Sequence, residues 1–145
     1  MVLHHPMFWD SLKRMFFLRD ASDRLEIDDQ LWPELGKEEK KVFLGFKTWD
    51  KKHDKGLFLH ITRNDKHRVP IHTYQFIRLR HLLRMIMNEM SHYWEIPREI
   101  TVRIGTYPEG FDSYFTSLFS KLFITVSQFI SEHYMEENEF KMYLK

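Results

Sequence analysis

Apolar residues in the middle of the chain recur in steps of two. Val42, Leu44 and Phe46 alternate with Phe43, Gly45 and Lys47, and Leu57, Leu59 and Ile61 alternate with Phe58, His60 and Thr62. That period predicts two half-buried strands, joined through DKKHDKG by a loop longer than a tight turn. HRVPIHT resumes the pattern with Val69 and Ile71 inward, and Pro70 confines it to a sheet edge or a strand end. RLEID reads as a short strand, and EITVRIGTY as a further one through Ile100, Val102 and Ile104. Helical spacing flanks the strands. Pro6 to Arg19 places Phe8, Leu12, Met15 and Phe16 on one face. Thr73 caps a helix running toward Trp94, with Phe76, Leu79, Leu83 and Met90 in register. Asp112 opens a last helix whose apolar stripe runs from Phe115 to Ile130. The pattern predicts an α+β fold: a curved antiparallel sheet of about four to five strands, a long helix after it, and additional N- and C-terminal helices. The whole chain, residues 1–145, reads as a single domain, with a sheet-plus-helix core over 24–94 and extensions on either side.

Parity then defines the other face of that sheet. With Val42, Leu44, Phe46, Leu57, Leu59, Ile61, Val69 and Ile71 inward, the outer face collects Phe43, Lys47, Trp49, Phe58, His60, Thr62, Arg68 and His72. Aromatic rings among cations suit a single-stranded nucleic acid. Bases stack on the rings, worth about 1–3 kcal/mol each, and cations track the phosphates. Lys51, Lys52 and Lys55 in the loop, with Lys66, extend the surface. Two other readings stay open: a protein interface, and burial of this face beneath the terminal helices.

Charge sharpens the picture. The net charge is +1, yet Lys37 to Arg84 holds 13 Lys and Arg against 5 Asp and Glu, and the remainder is acidic. A basic middle between acidic flanks favours a polyanion partner, or flanks and middle that neutralise each other in the fold. Aromatics make up 16% of the chain, enough to build a core. There is no cysteine, so disulfides, thiolate nucleophiles and cysteine-bound zinc are excluded. The N-terminus lacks a signal-peptide pattern and no window is long and apolar enough to span a membrane. An intracellular protein of nucleus or cytoplasm, not secreted, is the expectation.

Enzyme motifs are absent. No glycine-rich phosphate loop, G-x-S-x-G or H-E-x-x-H occurs. Glu89 and His92 form one E-x-x-H, where a carboxylate-bridged di-metal site needs two, so the pair reads as surface polarity. His60 and His72 lack a third ligand. No metal and no cofactor are expected.

The block from Arg24 to Leu83 resembles the single-stranded-DNA-binding domain of the positive cofactor four family of transcriptional coactivators, or its Whirly-like relatives. The likeness lies in RLEID, KKVFLGFKTW, KGLFLHITR and HRVPIHTYQFIRLRHLL, in that order. It implies a four-stranded antiparallel sheet followed by a helix, a homodimer, and Lys47, His60, Arg63 and Arg68 near the nucleic-acid groove. The function expected is non-catalytic binding of single-stranded DNA or RNA in transcription or replication. The alternative is a small adaptor or viral accessory protein that dimerises and meets an acidic protein partner through the same face.

Overall fold

Asp10 starts the first long helix. Its side chain accepts a hydrogen bond from Lys13 N at 2.8 Å, a cap worth about 1 kcal/mol. The computed structural model describes residues 6–43, 54–57, 75 and 77–144. Helix α1 (Ser11–Glu26) buries Met15, Phe17, Leu18, Ala21, Ser22 and Leu25 on one face. Short helices α2 (Trp32–Gly36) and α3 (Glu39–Phe43) follow, with Pro33 in the first turn of α2. Helix α4 (Leu79–Ser91) is strongly amphipathic and buries Leu79, Leu82, Leu83, Met85 and Ile86. Its N-terminus is capped from α3, because Glu39 Oε2 accepts from Leu79 N at 2.6 Å. Then come α5 (Arg98–Ile104), α6 (Glu109–Leu118), α7 (Leu122–Tyr134) and α8 (Asn138–Lys141).

Helix α1 lies against α4, α6 and α7. Between them runs a continuous core from Trp9 to Phe140, with Phe111, Phe119, Met15 and Leu25 among its fully buried side chains. Trp9, Phe17 and Phe123 meet edge to face at 5.3–5.7 Å. Polar ties fix the helices around this core. Arg14 Nε pairs with Asp112 of α6 at 3.0 Å and its guanidinium lies over the Phe123 ring. Arg24 Nε reaches Glu137 at 2.6 Å, and Tyr134 donates to Asp28 at 2.9 Å. These join α1 to the C-terminal end of the chain.

No strand occurs among the described residues, so the α+β expectation, with its curved antiparallel sheet, is overturned. RLEID is the end of α1 and the turn beyond it. The supposed strand EITVRIGTY is largely α5. There Ile100 and Ile104, four apart, are buried, while Val102 is 74% exposed. A strand puts all three on one face, and only a helix turns the middle one away. Val42 and Phe43 are adjacent and both buried in α3, where a half-buried strand would send them to opposite faces. Leu57 is buried in a helical turn over 55–57. The segments 44–53 and 58–74, which carry most of the predicted hairpin, lie outside the described residues.

The helices also differ from the pattern. Helix α1 extends to Glu26 and turns a different face inward, leaving Phe8, Leu12 and Phe16 exposed. The predicted C-terminal helix is two helices. Phe119, at φ −128° and ψ 68°, ends α6, and Leu122 opens α7. Among the described residues no helix is long and apolar enough to cross a membrane.

Candidate active site at the end of helix α4

The chain leaves α4 at His92, whose N–H still donates to Asn88 O at 3.1 Å. A single 3-10 turn, Tyr93–Glu95, follows. It is tightly held. Tyr93 is buried and its hydroxyl donates to Gly105 O at 2.6 Å. Ile96 is buried behind it, and Pro97 leads into α5. The receiving loop is equally constrained. Gly105 has φ +101°, and a Cβ on it would lie 2.6 Å from Gly110 Cα, a space only glycine leaves open.

On this corner His92 Nδ1 lies 3.2 Å from Glu95 Oε2. With its proton on Nδ1 the ring faces the carboxylate through that nitrogen, which leaves Nε2 on the side away from Glu95. The His92 side chain is about one quarter exposed, so a substrate proton can reach it. One turn earlier, Asn88 Nδ2 is buried with no hydrogen-bond partner among the described residues. A buried amide donor without an acceptor is costly, and such atoms often await a ligand oxygen. A histidine oriented by a carboxylate, beside an unused amide donor, can transfer a proton and stabilise negative charge.

Two other described histidines are committed to the fold. His81 is buried, and its Nδ1 accepts from Gln75 N at 2.7 Å. Burial, then the charges of Arg84 and Arg80, pull its pKa down to about 4, so the ring is neutral. His133 is stacked on Phe129, with Nδ1 3.0 Å from Phe129 O.

Positive charge gathers at the other end of α4. Arg78 pairs with Glu39 at 3.4 Å, and Arg84 with Glu26. Arg80 instead stacks on Trp32, 3.7 Å from the ring centroid, and its Nε has no hydrogen-bond partner among the described residues. Burial and its arginine neighbours lower the Arg80 pKa. Arg80, Arg84, Asn88 and His92 stand four apart on one face over about 18 Å of helix, with Arg84 already paired to Glu26.

Of the residues expected to bind nucleic acid, two are described. Phe43 is 3% exposed in α3, where it packs in the core and presents nothing to a ligand. Lys55 is exposed on the 55–57 turn. That turn is docked on α5 and α6: Asp54 takes hydrogen bonds from Arg103 at 2.9 and 3.0 Å, and Asp54 N donates to Tyr114. The paired Arg103 holds the Asp54 carboxyl down to about 2. Lys47, Trp49, Lys51, Lys52, Phe58, His60, Arg63, Lys66 and Arg68 lie outside the described residues. Sequence reasoning set His92 and Glu89 aside as a surface pair, yet Glu89 is fully buried. The missed signal was Asn88 and His92 one turn apart, with Glu95 next and Pro97 ending the turn.

Among the described residues the domain is helical, and a histidine faces a carboxylate on a corner held by Tyr93. The family model of Ribonuclease 2-5A matches residues 14–144, and the chain belongs to that family. It is 42% identical, over 99% of its length, to the "Serine/threonine-protein kinase/endoribonuclease IRE1a" of Arabidopsis thaliana, covering 17% of that protein. It is 40% identical over 98% of its length to the "Inactive serine/threonine-protein kinase/endoribonuclease IRE1-like" of the same plant, covering 27% of it. Identity to the Homo sapiens "Serine/threonine-protein kinase/endoribonuclease IRE2" is 32% over 85% of the chain, covering 13% of that protein. The chain thus spans about a quarter or less of the relatives named here.

This membership overturns the resemblance to the positive cofactor four and Whirly-like domains. Single-stranded DNA as the partner and a role as a transcription or replication factor fall with it. The adaptor or viral accessory alternative falls on the same finding, and so does the expectation of a non-catalytic protein, because the family is one of ribonucleases.

Proposed function

We propose that this domain cleaves RNA at a phosphodiester bond, with His92 as its proton-transfer group. RNA carries its own nucleophile in the 2′-hydroxyl. That oxygen bonds to the adjacent phosphorus as the bond to the 5′-oxygen breaks. A base takes the 2′-hydroxyl proton and an acid protonates the departing oxygen. His92 is suited to one of these transfers, oriented by Glu95. Rotation of the Asn88 side chain would bring its buried amide N–H to a phosphate oxygen, where it stabilises developing negative charge. Arg80, on the same face of α4, adds positive charge that attracts the backbone.

The observation that carries this reading is the 3.2 Å approach of His92 Nδ1 to Glu95 on a corner pinned by Tyr93. One relative is called inactive in its printed name; the reading of activity in this chain rests on its own His92, Glu95 and Asn88. Lack of cysteine suits an intracellular setting. The homodimer expected above belongs to the same proposal and is read by a solution mass measurement. The test of cleavage uses a labelled single-stranded oligoribonucleotide. His92→Ala lowers kcat at least about a hundredfold, and Glu95→Gln lowers it less. A 2′-deoxy strand is not cut. Equal cleavage by the His92→Ala protein, or cleavage of the deoxy strand, refutes the assignment.

A further inference from the structure

Trp94 sits between His92 and Glu95 in sequence and is 85% exposed. The indole is the largest unburied apolar group on a turn whose backbone is otherwise locked. Tyr93 meets it edge to face at 5.3 Å, and Tyr93 itself is anchored to Gly105. Its exposure is therefore set by the backbone rather than by a loose loop. A tryptophan offers roughly 150–250 Å² for burial, and the fold uses little of it here. Something outside the fold would gain by covering the ring.

The surroundings indicate what that is. The exposed residues next along the chain are charged: Glu95, Arg98 and Glu99. Val102 is exposed one turn further along α5. A protein-docking centre is instead a cluster of apolar and aromatic anchors shielded from water. An exposed ring two residues after His92, with Arg98 four residues on between the carboxylates Glu95 and Glu99, leaves a free face of the kind on which unpaired bases stack.

We propose that Trp94 is the stacking platform for a nucleobase flanking the scissile phosphate, and so selects unpaired RNA. This rests on the ribonuclease reading and deepens it. A base inside a duplex has no open face for the ring, whereas a single strand presents one. Trp94 would thereby position the backbone against His92 and Asn88.

The test separates binding from cleavage. A fluorescein-labelled 2′-O-methyl single strand, which cannot be cut, is titrated by anisotropy against the wild-type, Trp94→Ala and Trp94→Phe proteins, beside a duplex of the same sequence. Trp94→Ala weakens single-strand binding about five- to hundredfold. Trp94→Phe recovers most of it, and the duplex is bound weakly by all three. In cleavage of the unmodified strand, Trp94→Ala raises KM. Unchanged single-strand affinity in Trp94→Ala overturns the proposal, as does an equal loss for the duplex. Loss of self-association by mass, with RNA affinity intact, overturns it in favour of a protein contact. Normal affinity in Trp94→Ala together with dead His92→Ala leaves the ribonuclease assignment standing. Normal cleavage by His92→Ala refutes that assignment, while the uncleavable strand still decides Trp94.

Discussion

Removing one oxygen atom tests whether the corner at the end of α4 is held as described. Tyr93→Phe keeps the buried ring, and with it the packing against Phe111 and Tyr107. It deletes only the hydroxyl that donates to Gly105 O at 2.6 Å. A hydrogen bond of this kind is worth about 0.5–1.5 kcal/mol net, and leaving a buried acceptor unpaired costs about 1–3 kcal/mol. Gly105 is only partly buried, so water replaces some of the loss, and about 1–2 kcal/mol is expected. For a domain of this size that lowers the melting temperature by about 3–6 °C. The same bond ties the His92–Glu95 turn to the loop after α5. Loosening it shifts His92 relative to substrate, and small misplacements in such geometry are expensive in rate. Calorimetry and cleavage kinetics on the wild-type and Tyr93→Phe proteins measure both effects, with kcat falling at a temperature where both are fully folded. A melting temperature within 1 °C of wild type, by the scale just given, with unchanged kcat, would refute the anchoring argument.

Gly105→Ala should be far more damaging, because it combines a left-handed φ of +101° with a Cβ 2.6 Å from Gly110. A loss above about 2 kcal/mol in urea unfolding is expected, and a change within error contradicts the close approach. Arg14→Leu strands the buried Asp112 carboxylate, at about 3 kcal/mol. The Arg14→Leu/Asp112→Leu double variant recovers part of that, and a double variant no better than the single one argues against the pair. Stability also depends on pH in two windows. His81 is held neutral, its pKa drawn from the ordinary 6.5 to about 4 by burial and nearby arginines. Its contribution is complete above pH 6.5 and is lost as pH falls toward 4. Asp54, held at about 2 by Arg103 against an ordinary 3.8, adds stability above 3.8 that is lost as pH falls through 2. The urea midpoint should decline across the upper window in the wild type, and His81→Gln should flatten that part of the curve. An unchanged slope in His81→Gln removes His81 as its cause.

What the sequence determined by itself was where apolar residues fall and which functions lack a motif. Absence of cysteine closed off thiol chemistry on composition alone. The period of Leu79, Leu83 and their neighbours was long enough to specify a helix there, since ten or more residues at 3.6 spacing have no competing strand reading. Short runs carried no such weight. Ile100 and Ile104 satisfy both periods and Val102 only that of a strand, and burial of the two ends with the middle exposed decided for a helix. Val42 and Phe43 likewise became helical because α3 holds them against the core while Glu39 caps α4. The candidate site was hidden for a related reason. His92, Glu95 and Asn88 are ordinary residues at ordinary spacing, and their chemistry arises from a corner that Tyr93 fixes to Gly105. That bond joins residues 12 apart through a loop only glycine can form, so it is a property of the folded chain. Tertiary structure set which side chains are buried and how the turn that carries His92, Trp94 and Glu95 is held, because both depend on contacts between distant parts of the chain that no local pattern encodes.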